Sequence, residues 1–163
     1  MYAICIDQPD ASELARGVRR VQFVELETEH RGKILLCAGS GGPKSEPLPR
    51  EMVIASAELK DVREFRTEDL EPAGLKAMPE RKGYAWEFEN MTEIVPFSVR
   101  EQPCLFDIDI RDDELVPIDL TDYEDHVEYF HKVILPQIES GMGEYHDELN
   151  GDTITRKRTI REK

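Results

Sequence analysis

Five basic side chains in the first third of the sequence are the residues best suited to bind an anion. They are Arg16, Arg19, Arg20, Arg31 and Lys33. Guanidinium groups can hold a phosphate through two parallel hydrogen bonds, so this basic cluster favours a phosphate-binding surface. The alternative is a solvated charge lattice, because Glu25, Glu27 and Glu29 lie close by in sequence. Both interpretations stay open at this stage.

A carboxylate that could do acid–base chemistry is harder to find. Glu58 shares the polar face of a predicted strand with Ser56. In a cleft it could serve as a general acid or base. The alternative is that Glu58 faces solvent or pairs with a basic residue. Glu58 is therefore only a weak catalytic candidate.

Two further patterns have ordinary explanations. The run Gly39–Ser45 is similar to a phosphate-binding loop, but a proline precedes its lysine and a strand follows it. Such a loop needs a helix after it, so we expect a flexible hairpin loop instead. Asp122 and His126 are one helical turn apart, which supplies only half of a metal site, and we expect a surface ion pair. We predict no metal and no cofactor.

The composition indicates a soluble, strongly acidic globular protein. The chain has 163 residues, 39% apolar and 34% charged, with a net charge of −14. Phosphate is repelled by such a surface, which disfavours free association with nucleic acid or anionic lipid. Cys5, Cys37 and Cys104 lie far apart in apolar runs, which indicates buried thiols in a reducing compartment. No stretch approaches the roughly 18 apolar residues of a membrane span, and we expect a cytoplasmic protein.

The charge is unevenly distributed along the chain. Residues 1–50 contain seven acidic and seven basic residues, whereas residues 111–152 contain thirteen acidic and two basic ones. The last eleven residues are basic. The N-terminal third is therefore the part that could face an anion.

Alternating apolar residues predict a mainly β body with one early helix. The predicted strands are residues 2–6, 21–26, 33–38, 52–62, 84–88, 92–95 and 104–110. A two-turn helix should follow Pro9 and end at Gly17. We expect strands 21–26 and 33–38 to form a hairpin-like pair.

The pattern becomes helical and acidic after Ile110. Thr121 and Glu124 form a predicted capping box, and apolar residues follow at helical spacing. This predicts a helix over about residues 122–135 that Pro136 ends or kinks.

The sequence thus divides into two parts. We predict a β-barrel domain over residues 1–110 and an acidic helical extension over residues 111–163. From residue 141 onward there is little apolar pattern, so we expect a mobile tail with a basic end.

Four short motifs fall in the order and spacing of a known family. They are Gln8-Pro9, Gly17-Val18-Arg19, Arg31-Gly32-Lys33-Ile34-Leu35-Leu36, and Tyr84-Ala85-Trp86 with Asn90 and Pro96. On these motifs the first 110 residues resemble the ASCH (activating-signal-cointegrator homology) family. The resemblance implies an α+β, mainly β fold built on a PUA-like β-barrel.

Members of that family are linked to RNA. Some are thought to bind it, some to cut it, and one branch deacetylates an acetylated cytidine nucleoside. The resemblance places the family's motif lysine at Arg19 and its glutamate at Gln22. Arginine stays charged where a lysine could act as a base, and glutamine cannot transfer a proton. These two changes favour binding over catalysis.

The leading hypothesis is a PUA-like module that binds a nucleotide, a nucleoside or an RNA element beside Arg19 and Gln22. The predicted ligand-binding residues are Gln8, Arg16, Arg19, Arg20, Gln22, Arg31, Lys33 and Trp86. One alternative is a small amidohydrolase or ribonuclease of the ASCH fold with a replacement carboxylate. Another is a protein-interaction module whose acidic helix docks on a basic partner.

Overall fold

The computed structural model describes residues 1–43, 47–139, 144–147 and 152–155. Its strands are β1 (Tyr2–Ile6), β2 (Val21–Val24), β3 (Gly32–Ala38), β4 (Met52–Glu64), β5 (Tyr84–Ser98), β6 (Phe106–Asp107), β7 (Glu144–Asp147) and β8 (Asp152–Thr155). Its helices are α1 (Asp10–Ala15), α2 (Tyr123–Tyr129) and α3 (Leu135–Glu139), the last two joined by a π-helical segment, Phe130–Ile134. The predicted α+β, mainly β fold with an early helix and a C-terminal helical extension is confirmed.

Six strands form one mixed sheet in the order β2-β5-β4-β3-β1-β6. Strands β1 and β3 are parallel, and the other neighbours are antiparallel. Parallel neighbours need a long connection, which α1 and β2 supply between them. The largest core cluster lies between α1 and the sheet and includes Leu14, Leu36 and Trp86.

The two longest strands bend the sheet back on itself. Strands β4 and β5 pair along almost their whole length, and their register shifts three times. Asn90 in β5 has a φ of 54°. The register shifts mark β-bulges, which bend a strand and increase its twist. As a result β1 and β2, four positions apart in the sheet order, line the same cleft.

The expected hairpin-like pair of β2 and β3 is wrong. Strand β3 pairs with β1 on one edge and with β4 on the other, so neither edge is left for β2. Strand β2 pairs with the first part of β5, where Gln22 is opposite Trp86. The predicted strands 84–88 and 92–95 are one continuous strand, and of the predicted strand 104–110 only Phe106–Asp107 forms a strand.

Helix α1 forms where it was predicted. Its apolar face, Ala11, Leu14 and Ala15, is buried on the sheet, and Asp10 and Glu13 lie in its first turn. Acidic residues there interact favourably with the positive end of the helix dipole. Gly17 has a φ of +76°, the left-handed conformation that commonly ends a helix.

The C-terminal helix is longer than predicted. Its cap is Asp122, whose side chain accepts hydrogen bonds from the N–H groups of Glu124 and Asp125. The helix continues to Glu139, three residues beyond Pro136, so of the two expected effects of the proline, an end or a kink, the end is wrong. In the π-helical segment before Pro136, hydrogen-bonded residues are five positions apart instead of four. This change of partners accommodates Pro136, which has no N–H to donate.

The C-terminal extension packs on the sheet domain. Val133, Ile134 and Ile138 are buried and pack with Met52 of β4. The side chain of Gln137 donates to the carbonyl of Leu48 at 2.8 Å. The division into residues 1–110 and 111–163 remains a prediction.

Two strands lie within the segment predicted to be a mobile tail. Strands β7 and β8 pair antiparallel, with Tyr145 opposite Ile154. The mobile tail stays a prediction, and residues 156–163 at its basic end lie outside the described residues. Within the part of the chain that the structure describes, no helix has the length and apolar character to cross a membrane.

Candidate binding cleft

A cleft of about 420 Å³ lies between the facing strands β1 and β2. Its lining residues come from three parts of the chain: Ile4, Cys5, Ile6, Asp7 and Asp10; Gln22, Phe23, Val24 and Glu25; and Glu101, Gln102 and Pro103. A smaller cavity of about 250 Å³ shares several of these residues and extends to Cys104. Pockets for small molecules typically have volumes of roughly 300–1,000 Å³, so the cleft is large enough for a small ligand.

The walls of the cleft carry four carboxylates. Asp7 directly follows β1, Asp10 begins α1, Glu25 directly follows β2, and Glu101 lies just beyond β5. None of the five residues of the basic cluster lines the cleft or the cavity next to it, within the residues that the structure describes. The cleft is therefore acidic, with a pair of amide side chains, Gln22 and Gln102, among the carboxylates.

The loop after β3 holds two of these carboxylates in place. Ser40 donates from its N–H at 3.0 Å and from its hydroxyl at 2.7 Å to Oε1 of Glu101. The N–H of Gly41 donates to Oδ1 of Asp7 at 3.2 Å. A Cβ on Gly39 would lie 2.7 Å from Glu101 Oε2 and 2.8 Å from Asp7 Oδ1. Only glycine at position 39 lets the loop approach both carboxylates this closely.

Arg19 is tied into the protein by all three of its side-chain nitrogens. Nε donates to Glu13 at 2.9 Å, and Nη1 donates to the carbonyls of Val21 at 3.0 Å and Ala73 at 2.6 Å. Nη2 donates to Oε1 of Gln22 at 3.0 Å and lies 3.3 Å from Asp10 Oδ1. Its side chain is only 9% exposed. Arg19 therefore organises the wall of the cleft and has no free fork for a phosphate.

Gln22 joins this network to the cleft. Its carbonyl oxygen accepts from Arg19, and its Nε2 donates to Asp10 Oδ2 at 3.2 Å. These bonds fix which end of the amide faces which neighbour. One N–H of the amide group remains for a ligand, so Gln22 can hydrogen-bond a ligand but cannot transfer a proton to it.

The rest of the basic cluster is divided among different carboxylates. Arg16 lies 3.6 Å from Glu93, Arg31 lies 3.7 Å from Asp61, and Lys33 lies 3.0 Å from Asp112. Arg20 is exposed, and no ion pair of Arg20 is found among the described residues. Four of the five residues therefore pair with carboxylates, as the charge-lattice interpretation supposed, although these carboxylates are not the three expected ones.

Two of the predicted ligand-binding residues are in the core. The buried amide of Gln8 donates to the carbonyl of Pro49 at 2.8 Å and accepts from the N–H of Ser12 at 3.0 Å. Trp86 is fully buried, and its indole N–H donates to the carbonyl of Leu26 at 2.8 Å. Both residues hold together elements next to the cleft, and neither lines it.

Glu58, the weak catalytic candidate, is also outside the cleft. It is exposed on β4, opposite Lys33 of β3 in the strand register. Strand alternation turns it away from the buried side that holds Ala57 and Leu59. It therefore faces solvent next to a basic residue, which was the alternative interpretation.

Most of the residues that give the cleft its charge were not among the predicted site residues. Asp7, Glu25 and Glu101 each directly follow a strand or lie a few residues after it. Polar residues at strand ends are a usable signal. What the sequence could not supply is that β1, β2 and the segment after β5 meet at one place, because this depends on the sheet order.

Comparison with known proteins finds similarity among solved structures. No protein-family model matches the chain, and no curated protein is significantly similar to it. The chain is similar to the ASCH protein of Zymomonas mobilis at 15% identity and a TM-score of 0.49, covering 81% of this chain and 94% of that one. A serine-to-alanine variant of that protein aligns at 17% identity and a TM-score of 0.49, covering 69% and 89% of the two chains. Both solved structures bear the name of the family that the sequence resembles.

Proposed function

We propose that this protein is a small-ligand binding module that holds a nucleoside through the N–H groups of its base. The observation that carries the proposal is the acidic cleft, whose four carboxylates and two amide side chains surround about 420 Å³. Ionised carboxylates only accept hydrogen bonds, so they select a ligand that is rich in donors.

The base of a cytidine-type nucleoside has suitable chemistry. Its exocyclic amine is a donor that Asp and Glu side chains accept from, and a charge-assisted bond is roughly twice as strong as a neutral one. The ring also offers acceptors that the free N–H of Gln22 could reach. The apolar side chains of Ile4, Ile6 and Val24 supply the less polar part of the lining.

The charge of the cleft favours a nucleoside over a nucleotide or an RNA strand. A phosphate in the cleft would lie among carboxylates, because four residues of the basic cluster are paired elsewhere and the fifth, Arg20, does not line the cleft. The net charge of −14 adds repulsion at long range. We therefore expect single-stranded RNA to bind no more tightly than about micromolar at physiological salt, because few phosphate contacts are available.

Isothermal titration calorimetry with matched ligands tests the proposal. Cytidine and uridine have nearly the same shape, but uridine has an acceptor where cytidine has its amine. We expect cytidine to bind at least about tenfold more tightly than uridine, as the loss of one charge-assisted hydrogen bond implies. Cytidine 5′-monophosphate should bind more weakly than cytidine.

Two variants locate the site. Glu25→Gln neutralises a carboxylate at the cleft and should reduce the preference for cytidine, whereas Glu58→Gln lies outside the cleft and should leave it unchanged. Equal binding of cytidine and uridine, or tighter binding of the monophosphate, would contradict the proposal. A simple diamine that displaces cytidine at equal concentration would show that the cleft recognises positive charge and not a nucleobase.

A further inference from the structure

Two cysteines that are distant in sequence are in contact in the sheet. Cys5 of β1 and Cys37 of β3 are direct partners in the parallel register, and their sulfur atoms lie 2.8 Å apart. The sequence indicated three separate buried thiols. Instead Cys37 is buried, Cys5 is half-buried, and Cys104 is exposed.

The strand geometry allows these two sulfurs to bond. Neighbouring strands lie about 4.8 Å apart, and disulfides join residues whose Cα atoms are roughly 4.4–6.8 Å apart. Because Cys5 and Cys37 are register partners on neighbouring strands, the strand spacing falls in this range and their side chains point to the same face of the sheet.

Solvent can reach one member of the pair. Cys5 lines both the acidic cleft and the smaller cavity beside it, whereas Cys37 is fully buried behind β1. Cys104 lines the same smaller cavity. A small oxidant that enters the cleft would therefore meet Cys5 first, with Cys37 in contact behind it.

The pKa shifts of the two thiols also favour Cys5 as the first to react. The hydrogen bond between the Cys5 and Cys37 thiols lowers the pKa of Cys5, and the backbone N–H of Gln102 contributes to this lowering. The same bond to Cys5, together with burial, raises the pKa of Cys37. The thiolate is the reactive form of cysteine, so Cys5 is the nucleophile of the pair.

We propose that Cys5 and Cys37 form a reversible oxidation site, in which a hydroperoxide entering through the cleft converts the two thiols into a disulfide. This inference rests on the strand register and the sulfur contact, and it does not depend on which ligand the cleft binds.

The chemistry balances with the hydroperoxide as oxidant. The Cys5 thiol first loses its proton and the thiolate attacks one peroxide oxygen. The O–O bond breaks, and the leaving oxygen takes up that proton and departs as water or an alcohol. Cys5 is then a sulfenic acid. The sulfur of Cys37 attacks the sulfur of Cys5, an S–S bond forms as the S–O bond breaks, and water carries away the Cys37 proton. The two thiols lose two electrons, which reduce the peroxide.

Mass spectrometry of the full chain after brief treatment with hydrogen peroxide tests the site. We expect the folded protein to lose the mass of two hydrogens, to yield a disulfide-linked peptide pair containing Cys5 and Cys37, and to recover its mass with dithiothreitol. The bridge should form at least about tenfold more slowly in denaturing urea, where the two sulfurs are no longer held together.

Single variants supply the controls. Cys104→Ser should form the bridge as the wild type does, and Cys5→Ser should form none at Cys37. Cys37→Ser should accumulate sulfenic acid at Cys5, detectable with dimedone. A serine at buried position 37 could disturb folding. The disulfide-linked peptides of the wild-type protein therefore test the bridge without relying on this variant. Three free thiols after treatment, a bridge through Cys104, or equal rates in urea would each overturn the inference.

Discussion

The guanidinium of Arg19 holds the amide of Gln22, with Nη2 donating to Oε1 at 3.0 Å. These are the two positions at which the resemblance to the ASCH family places a lysine and a glutamate. In this chain they form a hydrogen-bonded pair that supports Asp10 at the edge of the acidic cleft. The two side chains thus fix the wall of the acidic cleft.

Substituting Arg19 should destabilise the protein far more than substituting the adjacent Arg20. Arg19→Met leaves Glu13 and two backbone carbonyls without their partner. Each buried acceptor that loses its hydrogen bond costs about 1–3 kcal/mol. Arg20→Met changes an exposed side chain and should alter the free energy of unfolding by less than about 0.5 kcal/mol. Urea denaturation of both variants measures the difference, and similar losses for the two would contradict the structural role of Arg19.

The protein should not hydrolyse acetylated cytidine. Arginine keeps its charge throughout the neutral range, and Gln22 cannot pass on a proton. Each missing acid–base group is worth roughly a hundred- to ten-thousandfold in rate. Chromatography of acetylcytidine incubated with the purified protein should show no product above the background. Clear turnover that Glu101→Gln abolishes would identify a cleft carboxylate as a replacement acid and assign the protein to the enzymes.

Glu93 should make stability depend on pH in the acidic range. Burial raises the pKa of Glu93, and the nearby Arg16 opposes this only in part. A carboxyl group whose pKa is raised on folding favours the folded state below the unfolded pKa, about 4.3, and this contribution is lost as the pH rises through the folded pKa. Glu93→Gln should therefore raise the melting temperature at pH 7, by an amount that shrinks towards pH 4. A difference that is constant with pH would rule this out.

A chain that ends at residue 110 should fold but be less stable. All strands of the six-stranded sheet precede this point, while deletion exposes the surface that Val133, Ile134 and Ile138 cover. Circular dichroism should keep its β signal and show a lower melting temperature. The point variant Ile138→Ala should cost about 2–5 kcal/mol in the full chain, because it leaves a cavity. An unfolded truncated chain would show that the extension belongs to the core.

Local patterns in the sequence were sufficient for most elements of the fold. Strands β1, β3 and β4 and helix α1 follow from apolar alternation and from the turn residues Pro9 and Gly17. The pairing of β2 was mispredicted because sequence proximity to β3 suggested a hairpin. Strand β3 has no free edge for β2, because β1 and β4 pair with its two edges. A local sequence pattern contains no information about these distant partners.

The site was less predictable than the fold for the same reason. Gln22 was identified by its position in a motif, and the structure places it at the cleft. The basic residues were grouped because they are close in sequence, yet they pair with carboxylates on distant elements such as Glu93 and Asp112. Both the acidic cleft and the contact of Cys5 with Cys37 arise from the sheet order, which brings distant segments together.

Mapping the binding site by NMR tests the central claim most directly. Cytidine titrated into isotope-labelled protein should shift the backbone amide signals of Gln22, Val24 and Gln102, which line the acidic cleft. Arg31 and Lys33 lie outside it, and their signals should stay in place. Shifts centred on Arg31 and Lys33, or no shifts at millimolar cytidine, would contradict the account of an acidic nucleoside-binding cleft.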